Sequence, residues 1–176
     1  MANLLLENQF IVWMATEYSD KIIIQALNSS YRNQILEFIN KYGDKENHLG
    51  VIGYNKKGII TKFVDIYLKL SGTNNYLIIG AIDKEFFKIN SIMFVRLKEL
   101  SLFKKKEGKL YIDIIIEIQL NKYIDNLLSF AEEWAVCKGI KNIGIKTGKK
   151  NETLNAFLQE KGFVDSYIYY RKNISF

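Results

Sequence analysis

Two carboxylates on one predicted strand are the side chains of this sequence best suited to moving a proton. Asp113 and Glu117 lie within an apolar run over residues 109–118, which predicts a strand. Because side chains alternate along a strand, both are expected on one face with Tyr111 and Ile115, about 13 Å apart. This spacing excludes a close carboxylate pair. Either acid alone could serve as a general base, or it could be an ordinary solvated or ion-paired acid.

The next segment, residues 119–124, could bind phosphate through its main chain. It reads Gln-Leu-Asn-Lys-Tyr-Ile and opens a predicted helix that ends at Gly139. The first N–H groups of a helix have no partner within it and lie at the positive end of its dipole, so a pyrophosphate binds there readily. Lys122 could pair with a phosphate, or its bulk could fill the site.

Other catalytic chemistries find few suitable residues. The chain has one cysteine, Cys137, and one histidine, His48. These are too few for a disulfide or a metal site, and a lone cysteine is typical of the cytoplasm. A nucleic-acid patch could be formed by Lys104–Lys106, Lys109 and Arg96, but no aromatic-interleaved motif accompanies them, so a solvated hairpin tip is favoured.

Length and charge limit the class of protein. A chain of 176 residues favours one domain, and no apolar run reaches the ~18–20 residues of a membrane span. The net charge is +6, with +1 in residues 1–88 and +5 in residues 89–176. This asymmetry indicates either an anionic partner or a mildly basic solvated surface.

The elements that must position these residues change from mainly helical to mainly extended along the chain. The patterns predict a strand at 10–16, helices at 22–27, 31–43 and 59–70, strands at 76–82, 91–97 and 109–118, a helix at 124–138, a strand at 140–147, a helix at 151–161, and a strand or hairpin at 163–174. Gly43 is expected as a left-handed helix cap, and residues 104–108 as a turn. The alternation in the second half predicts a mixed α/β fold with a right-handed crossover.

Residues 109–174 resemble the GNAT-type N-acetyltransferases. In that family a strand leads into a Gln/Arg-x-x-Gly-x-Gly/Ala loop, followed by a long helix, a strand and a second helix. The residues that keep the family's spacing are Gln119, Leu127-Leu128, Glu133-Trp134-Ala135, Gly139, Asn151 and Gly162-Phe163. The resemblance implies a mixed central sheet flanked by helices, with splayed central strands. It also implies a single domain over 1–176, in which 1–75 form a variable acceptor side and 109–174 the cofactor side.

The resemblance further implies acetyl-CoA as cosubstrate, with its pantetheine arm between the two splayed strands that follow residues 109 and 140. The cofactor-binding residues are then Gln119, Asn121, Lys122, Tyr123, Ile124 and Asn151. Asp113 or Glu117 would help to deprotonate the acceptor, a small-molecule or peptide amine.

Three positions depart from the family pattern. Lys122 and Ile124 stand where the loop usually has glycine, and Leu158 stands where a tyrosine often protonates the leaving thiolate. A GNAT-like protein without catalysis, acting as a ligand-binding or interaction module, is therefore the alternative. Neither a membrane nor nucleic acid is an expected partner, and a homodimer is left open.

Overall fold

The structure, a computed structural model, describes eight stretches of the chain. They are residues 16–19, 21–43, 49–50, 57–71, 75–102, 105–118, 122–145 and 152–164. Contacts divide the chain into two compact units, Met1–Lys146 and Thr147–Phe176. The single domain over 1–176 stays a prediction.

Seven strands of the described residues form one sheet in the first unit. They are β1 Thr16–Ser19, β2 Ile22–Ala26, β3 Leu49–Gly50, β4 Tyr76–Asp83, β5 Ile89–Leu102, β6 Lys105–Glu117 and β7 Asn142–Ile145. The order is β1-β2-β4-β5-β6, and both β3 and β7 pair with β6. Every pairing is antiparallel except β6 with β7, which is parallel. The predicted mixed central sheet is confirmed.

Helices cover the sheet on both faces. In the first unit they are α1 Arg32–Tyr42, α2 Lys57–Leu70 and α3 Ile124–Cys137; in the second unit lies α4 Glu152–Glu160. Helices α1 and α2 share an apolar core with alternate residues of β4 and β5, among them Ile78 and Phe94, both fully buried. The alternating residues that point the other way, such as Ile79 and Met93, are also fully buried. Helix α3 contacts these strands and covers that second face.

The helix predicted over 22–27 is wrong. These residues form β2, paired on one side with β1 and on the other with β4. Three consecutive β-branched isoleucines favour extended backbone, and their burial alternates, with Ile22 and Ile24 buried and Ile23 half-buried. The apolar residues from Ile22 to Leu27 also have a spacing compatible with a helix. The conformation is nevertheless extended, because β2 is hydrogen-bonded along both of its edges.

The turn predicted at 104–108 is also wrong, because β5 and β6 pair as far as Leu102 and Lys105. The remaining predicted helices and strands agree with the structure to within a few residues, although 10–15 and 165–174 lie outside the described residues. Gly139 and Gly162 end their helices at positive φ as expected, whereas Gly43 has φ −70° and is no left-handed cap.

Candidate active site

A β-bulge interrupts the pairing of β6 with β5. Phe94 of β5 lies opposite Ile114, yet its neighbour Val95 lies opposite Ile112. Asp113 is therefore an extra residue with no partner on β5. Such bulges bend a strand and redirect side chains, and they occur often beside active sites.

The bulge makes the predicted shared face of Asp113 and Glu117 wrong. Opposite residues of an antiparallel pair point to the same side. Tyr111 lies opposite Arg96 and Glu117 opposite Ser91, and Arg96 and Ser91 point to different sides of β5. Asp113 reaches toward α2, where it contacts Tyr67. Glu117 instead reaches the start of α3. The two carboxylates form no close pair, as predicted, but the reason is that the sheet lies between them.

Asp113 is the centre of a charged cluster on the α2 side. Arg96 Nε donates to its Oδ2 at 2.5 Å, and the buried Tyr67 hydroxyl donates to the same oxygen. The Asp113 side chain keeps 22% of its exposure and that of Arg96 keeps 38%. The hydrogen bond to Asp113 raises the pKa of Arg96, so the guanidinium stays charged. The cluster holds a partly exposed carboxylate in a fixed position.

Aromatic rings hold the Tyr67 hydroxyl in place. The Tyr67 ring packs edge-on against Tyr76 and Phe94, each with a centroid distance of 5.1 Å. Burial is the main cause that raises the pKa of Tyr67 far above 10.0, and the Asp113 carboxylate raises it further. The phenol is thus a permanent donor to Asp113.

Removing the Tyr67 hydroxyl should change stability at alkaline pH. Because folding raises the pKa of this phenol, its contribution to stability is complete below pH 10.0 and is lost as pH rises toward the folded-state pKa. We expect Tyr67→Phe to flatten the alkaline loss by up to about 1.4 kcal/mol per pH unit above about pH 10. Urea unfolding from about pH 9 to about pH 11 measures this slope. Tyr111→Phe, which keeps the buried hydroxyl, should follow the wild type, and equal slopes for wild type and Tyr67→Phe would contradict the assignment.

Glu117 caps the helix that the sequence assigned to phosphate binding. Its Oε1 accepts the Tyr123 backbone N–H at 3.0 Å, directly before α3 begins. The buried Ser91 hydroxyl lies 3.3 Å from the same oxygen and 3.1 Å from the Ile116 carbonyl oxygen. A carboxylate at a helix N-terminus is favoured by the dipole. It also puts negative charge where a pyrophosphate is expected.

The predicted loop is described only at its end. Gln119 and Asn121 lie outside the described residues. Lys122 is exposed, and its ammonium lies 5.2 Å from the centroid of the Tyr123 ring. Tyr123 and Ile124 are both buried, with 5% and 2% exposure. Their side chains serve packing, so any ligand here would meet their main chain and Lys122.

The outer edge of β6 has two occupants. Among the described residues, strand β7 pairs with it from Lys109 to Ile112. Beyond the bulge, Leu49 and Gly50 of β3 pair with Ile115 and Ile114. The GNAT resemblance implies that the pantetheine arm lies at this edge, between β6 and the strand that follows residue 140. The pairing of β3 with β6 therefore covers part of the β6 main chain that the arm would contact.

Helix α4 of the second unit carries Leu158 as a buried side chain, with 4% exposure. Its role in this unit is apolar packing, and it offers no hydroxyl. Asn151, expected on the cofactor side, lies outside the described residues.

Metal and membrane sites are absent from the described stretches. These stretches contain no cluster of three or more potential metal-binding side chains. None of their helices is long and apolar enough to cross a membrane.

Tyr67 was not predicted as a site residue, and Arg96 was considered only for a nucleic-acid patch. Arg96 lies opposite Tyr111 in the β5–β6 pair, with its guanidinium carbon 5.3 Å from the centroid of that ring. A hairpin register that pairs Leu102 with Lys105 would have found this pair. The turn was expected at 104–108 instead, and the bulge at Asp113 leaves no signal in the residue types.

Comparison with solved structures identifies the architecture. No protein-family profile and no curated protein matches the sequence. The aminoglycoside N-acetyltransferase AAC(6')-Iy in complex with CoA superposes with a TM-score of 0.67 at 11% identity, over 90% of this chain and 100% of that one. A GNAT family acetyltransferase from Staphylococcus aureus gives 0.58 at 18% identity, over 88% and 99%. The chain has the GNAT fold.

A third GNAT-fold relative shows how far acceptors differ. Glucosamine-6-phosphate N-acetyltransferase from Arabidopsis thaliana superposes with a TM-score of 0.62 at 14% identity, over 89% of this chain and 100% of that one. The likeness confirms the fold that residues 109–174 suggested. At such identities the GNAT fold alone is shown, and the reaction must be argued from the side chains.

Proposed function

We propose that this chain is an acetyl-CoA-dependent N-acetyltransferase acting on an amine. The observation that supports it best is the bulged Asp113 carboxylate, which directly follows the β6 residues that pair with the described part of β7. The GNAT fold implies that the pantetheine arm enters between these two strands. We therefore expect this partly exposed carboxylate to lie beside the acyl group.

Asp113 supplies the base that acyl transfer needs. The acceptor ammonium gives one proton to the Asp113 carboxylate, the free amine forms the C–N bond, and the C–S bond of the thioester breaks. The second proton of the nitrogen passes through solvent to the departing thiolate. The arrangement of Arg96 and Tyr67 on Oδ2 keeps the carboxylate in place during this step. Coenzyme A leaves as a thiolate of pKa about 8.5, which needs little help from a general acid. Leu158 in place of a tyrosine is compatible with that.

The start of α3 offers a fitting site for the cosubstrate's phosphates. Lys122 is exposed beside the main-chain N–H groups of the first turn, which is the arrangement that anions favour. Glu117 already accepts one of these N–H groups. A bound pyrophosphate would therefore compete with the Glu117 carboxylate for Tyr123. The Lys122 ammonium and the main-chain N–H groups suit an anion, and the Glu117 carboxylate is the one charge that competes with it.

An acetyl-transfer assay tests the proposal. Acetyl-CoA and a panel of primary amines are incubated with the purified chain, and thiol release is followed with a thiol reagent. We expect release that depends on both an amine and the protein. Absence of release with every amine, together with no binding of coenzyme A, would contradict it. A cytoplasmic location and a homodimer stay predictions.

A binding or interaction module without catalysis is the second candidate. The pairing of Leu49 and Gly50 with Ile115 and Ile114 favours it, because it closes part of the β6 edge. For the enzyme, this bridge must open before the pantetheine arm can use the same main chain.

Gly50→Pro separates the two candidates. Proline has no N–H and is tolerated poorly within a strand pair, so β3 should leave the edge of β6. For an enzyme we expect coenzyme A to bind about fivefold tighter, since a competing pair of main-chain hydrogen bonds is removed. Calorimetric titration measures the affinity, and thermal unfolding checks that the fold is kept. An interaction module without catalysis is expected to bind coenzyme A neither as the wild type nor as Gly50→Pro.

A further inference from the structure

Two basic side chains lie against one aromatic ring on the α2 side of the β5–β6 hairpin, and a third is next to them in the strand register. Arg96 and Lys109 both lie against Tyr111, with the guanidinium carbon 5.3 Å and the ammonium 5.5 Å from the ring centroid. Lys98 is exposed on the same side of β5 as Arg96, two residues further on. We call Arg96, Lys98 and Lys109 the basic patch. Its member nearest the bulge, Arg96, lies opposite Tyr111, two residues before Asp113 on β6.

The register of the hairpin brings like charges together. Lys98 lies directly opposite Lys109. Two like charges in opposite positions lower the stability of a sheet, and a bound anion would offset that effect. The Asp113 carboxylate, which Arg96 contacts, cancels one positive charge of the patch.

Arg96 keeps capacity for a further ligand. A guanidinium has five N–H donors in a planar fork. Among the described residues its hydrogen bond runs from Nε to Asp113, and 38% of the side chain is exposed. Asp113 on one side and the Tyr111 ring on the other fix the plane of the guanidinium. The Nη groups are thereby preorganised for a carboxylate or a phosphate, which arginine binds in a bidentate way.

We infer that the acceptor amine also carries an anionic group, a carboxylate or a phosphate, which Arg96 binds while Asp113 takes the proton of the ammonium group. This inference rests on the proposed acetyl transfer and names its substrate class. The neighbouring guanidinium and carboxylate match a ligand whose opposite charges are a few bonds apart. A polycationic acceptor of the aminoglycoside kind would meet the basic patch with repulsion.

Matched acceptors test the inference. Glucosamine-6-phosphate is compared with glucosamine, and glycine with glycinamide, by kcat/KM for acetyl transfer; neamine represents the polycations. We expect the anionic member of at least one pair to be preferred by about 10- to 100-fold, the range of a charged hydrogen bond. The preferred pair tells phosphate from carboxylate. Equal rates within both pairs, or a preference for neamine, would overturn the inference and leave acetyl transfer standing.

Arg96→Gln identifies the residue responsible. It should remove most of the preference for the anionic acceptor. Because Arg96 also positions Asp113, kcat/KM should fall for both members of a pair, and the ratio between the two members is the readout. Arg32→Gln is the matched control, since Arg32 Nε pairs with Asp65 at 2.6 Å with similar exposure, away from the bulge. It should leave the preference unchanged. A preference retained by Arg96→Gln would assign recognition to other residues and overturn the role of Arg96.

Direct binding keeps the inference testable if no transfer is found. Calorimetric titration with glucosamine-6-phosphate, glycine and their neutral partners needs no reaction. We expect saturable binding of an anionic amine that Arg96→Gln weakens by at least about tenfold and Arg32→Gln does not. Absence of binding by all four compounds overturns the inference. Loss of transfer with binding retained refutes the proposed function alone.

Discussion

Asp113→Asn is expected to lower kcat/KM for acetyl transfer by about 10²–10⁴-fold, the usual contribution of a general base. Asparagine keeps the size of the side chain and can still accept the hydrogen bonds from Arg96 and Tyr67. It cannot take the proton of the acceptor. The loss should appear mainly in kcat.

Asp65→Asn is the matched control for this change. Asp65 is also an aspartate in an arginine pair, and the hydrogen bond from Arg32 lowers its pKa. The control should retain the wild-type rate, because Asp65 of α2 pairs with Arg32 of α1 and does not lie at the bulge. Thermal unfolding of both variants separates lost chemistry from lost structure. A normal rate for Asp113→Asn would rule out Asp113 as the base.

Glu117→Gln is expected to tighten the binding of coenzyme A by about tenfold. Glutamine Oε1 can accept the Tyr123 N–H as glutamate does, so the start of α3 keeps its cap. The negative charge next to the expected pyrophosphate is gone, and charges a few ångströms apart near a surface interact by kilocalories per mole. Without ligand, the variant should be less stable by about 0.3–1 kcal/mol, since the helix dipole loses its anion.

Glu132→Gln makes the same change of charge on an exposed position of α3. It should leave the affinity for coenzyme A unchanged. Calorimetric titration with coenzyme A compares the affinities of the wild type, Glu117→Gln and Glu132→Gln. Unchanged or weaker binding by Glu117→Gln would show that the phosphates bind elsewhere. If Glu117→Gln slowed acetyl transfer by about 100-fold or more and Asp113→Asn did not, the role of base would pass to Glu117.

Local signals in the sequence predicted the cofactor half of the fold well. Helix α3 has an apolar stripe from Ile124 to Ala135 and a glycine with positive φ at Gly139, and both belong to the segment itself. The hairpin of β4 and β5 likewise follows from two apolar runs joined by a short polar turn. Such features depend on neighbours in sequence, which is why pattern analysis finds them.

The predictions that were wrong concern features that depend on pairing between strands distant in sequence. Strand β2 is extended because β1 and β4 bind both its edges, which outweighs a helix-like spacing of apolar residues. The bulge at Asp113 arises from the match of β6 to β5, and one extra residue reverses every face prediction beyond it. Arg96 joined the site only through that pairing. The candidate acids were found by residue type, but their partners required the register.

Calorimetric titration of the wild-type chain with coenzyme A tests the central claim most directly. We expect saturable binding of one coenzyme A per chain, and tighter binding by Glu117→Gln and by Gly50→Pro. A folded protein that shows no binding heat at millimolar coenzyme A, in the wild type and in both variants, would contradict the proposed acetyltransferase.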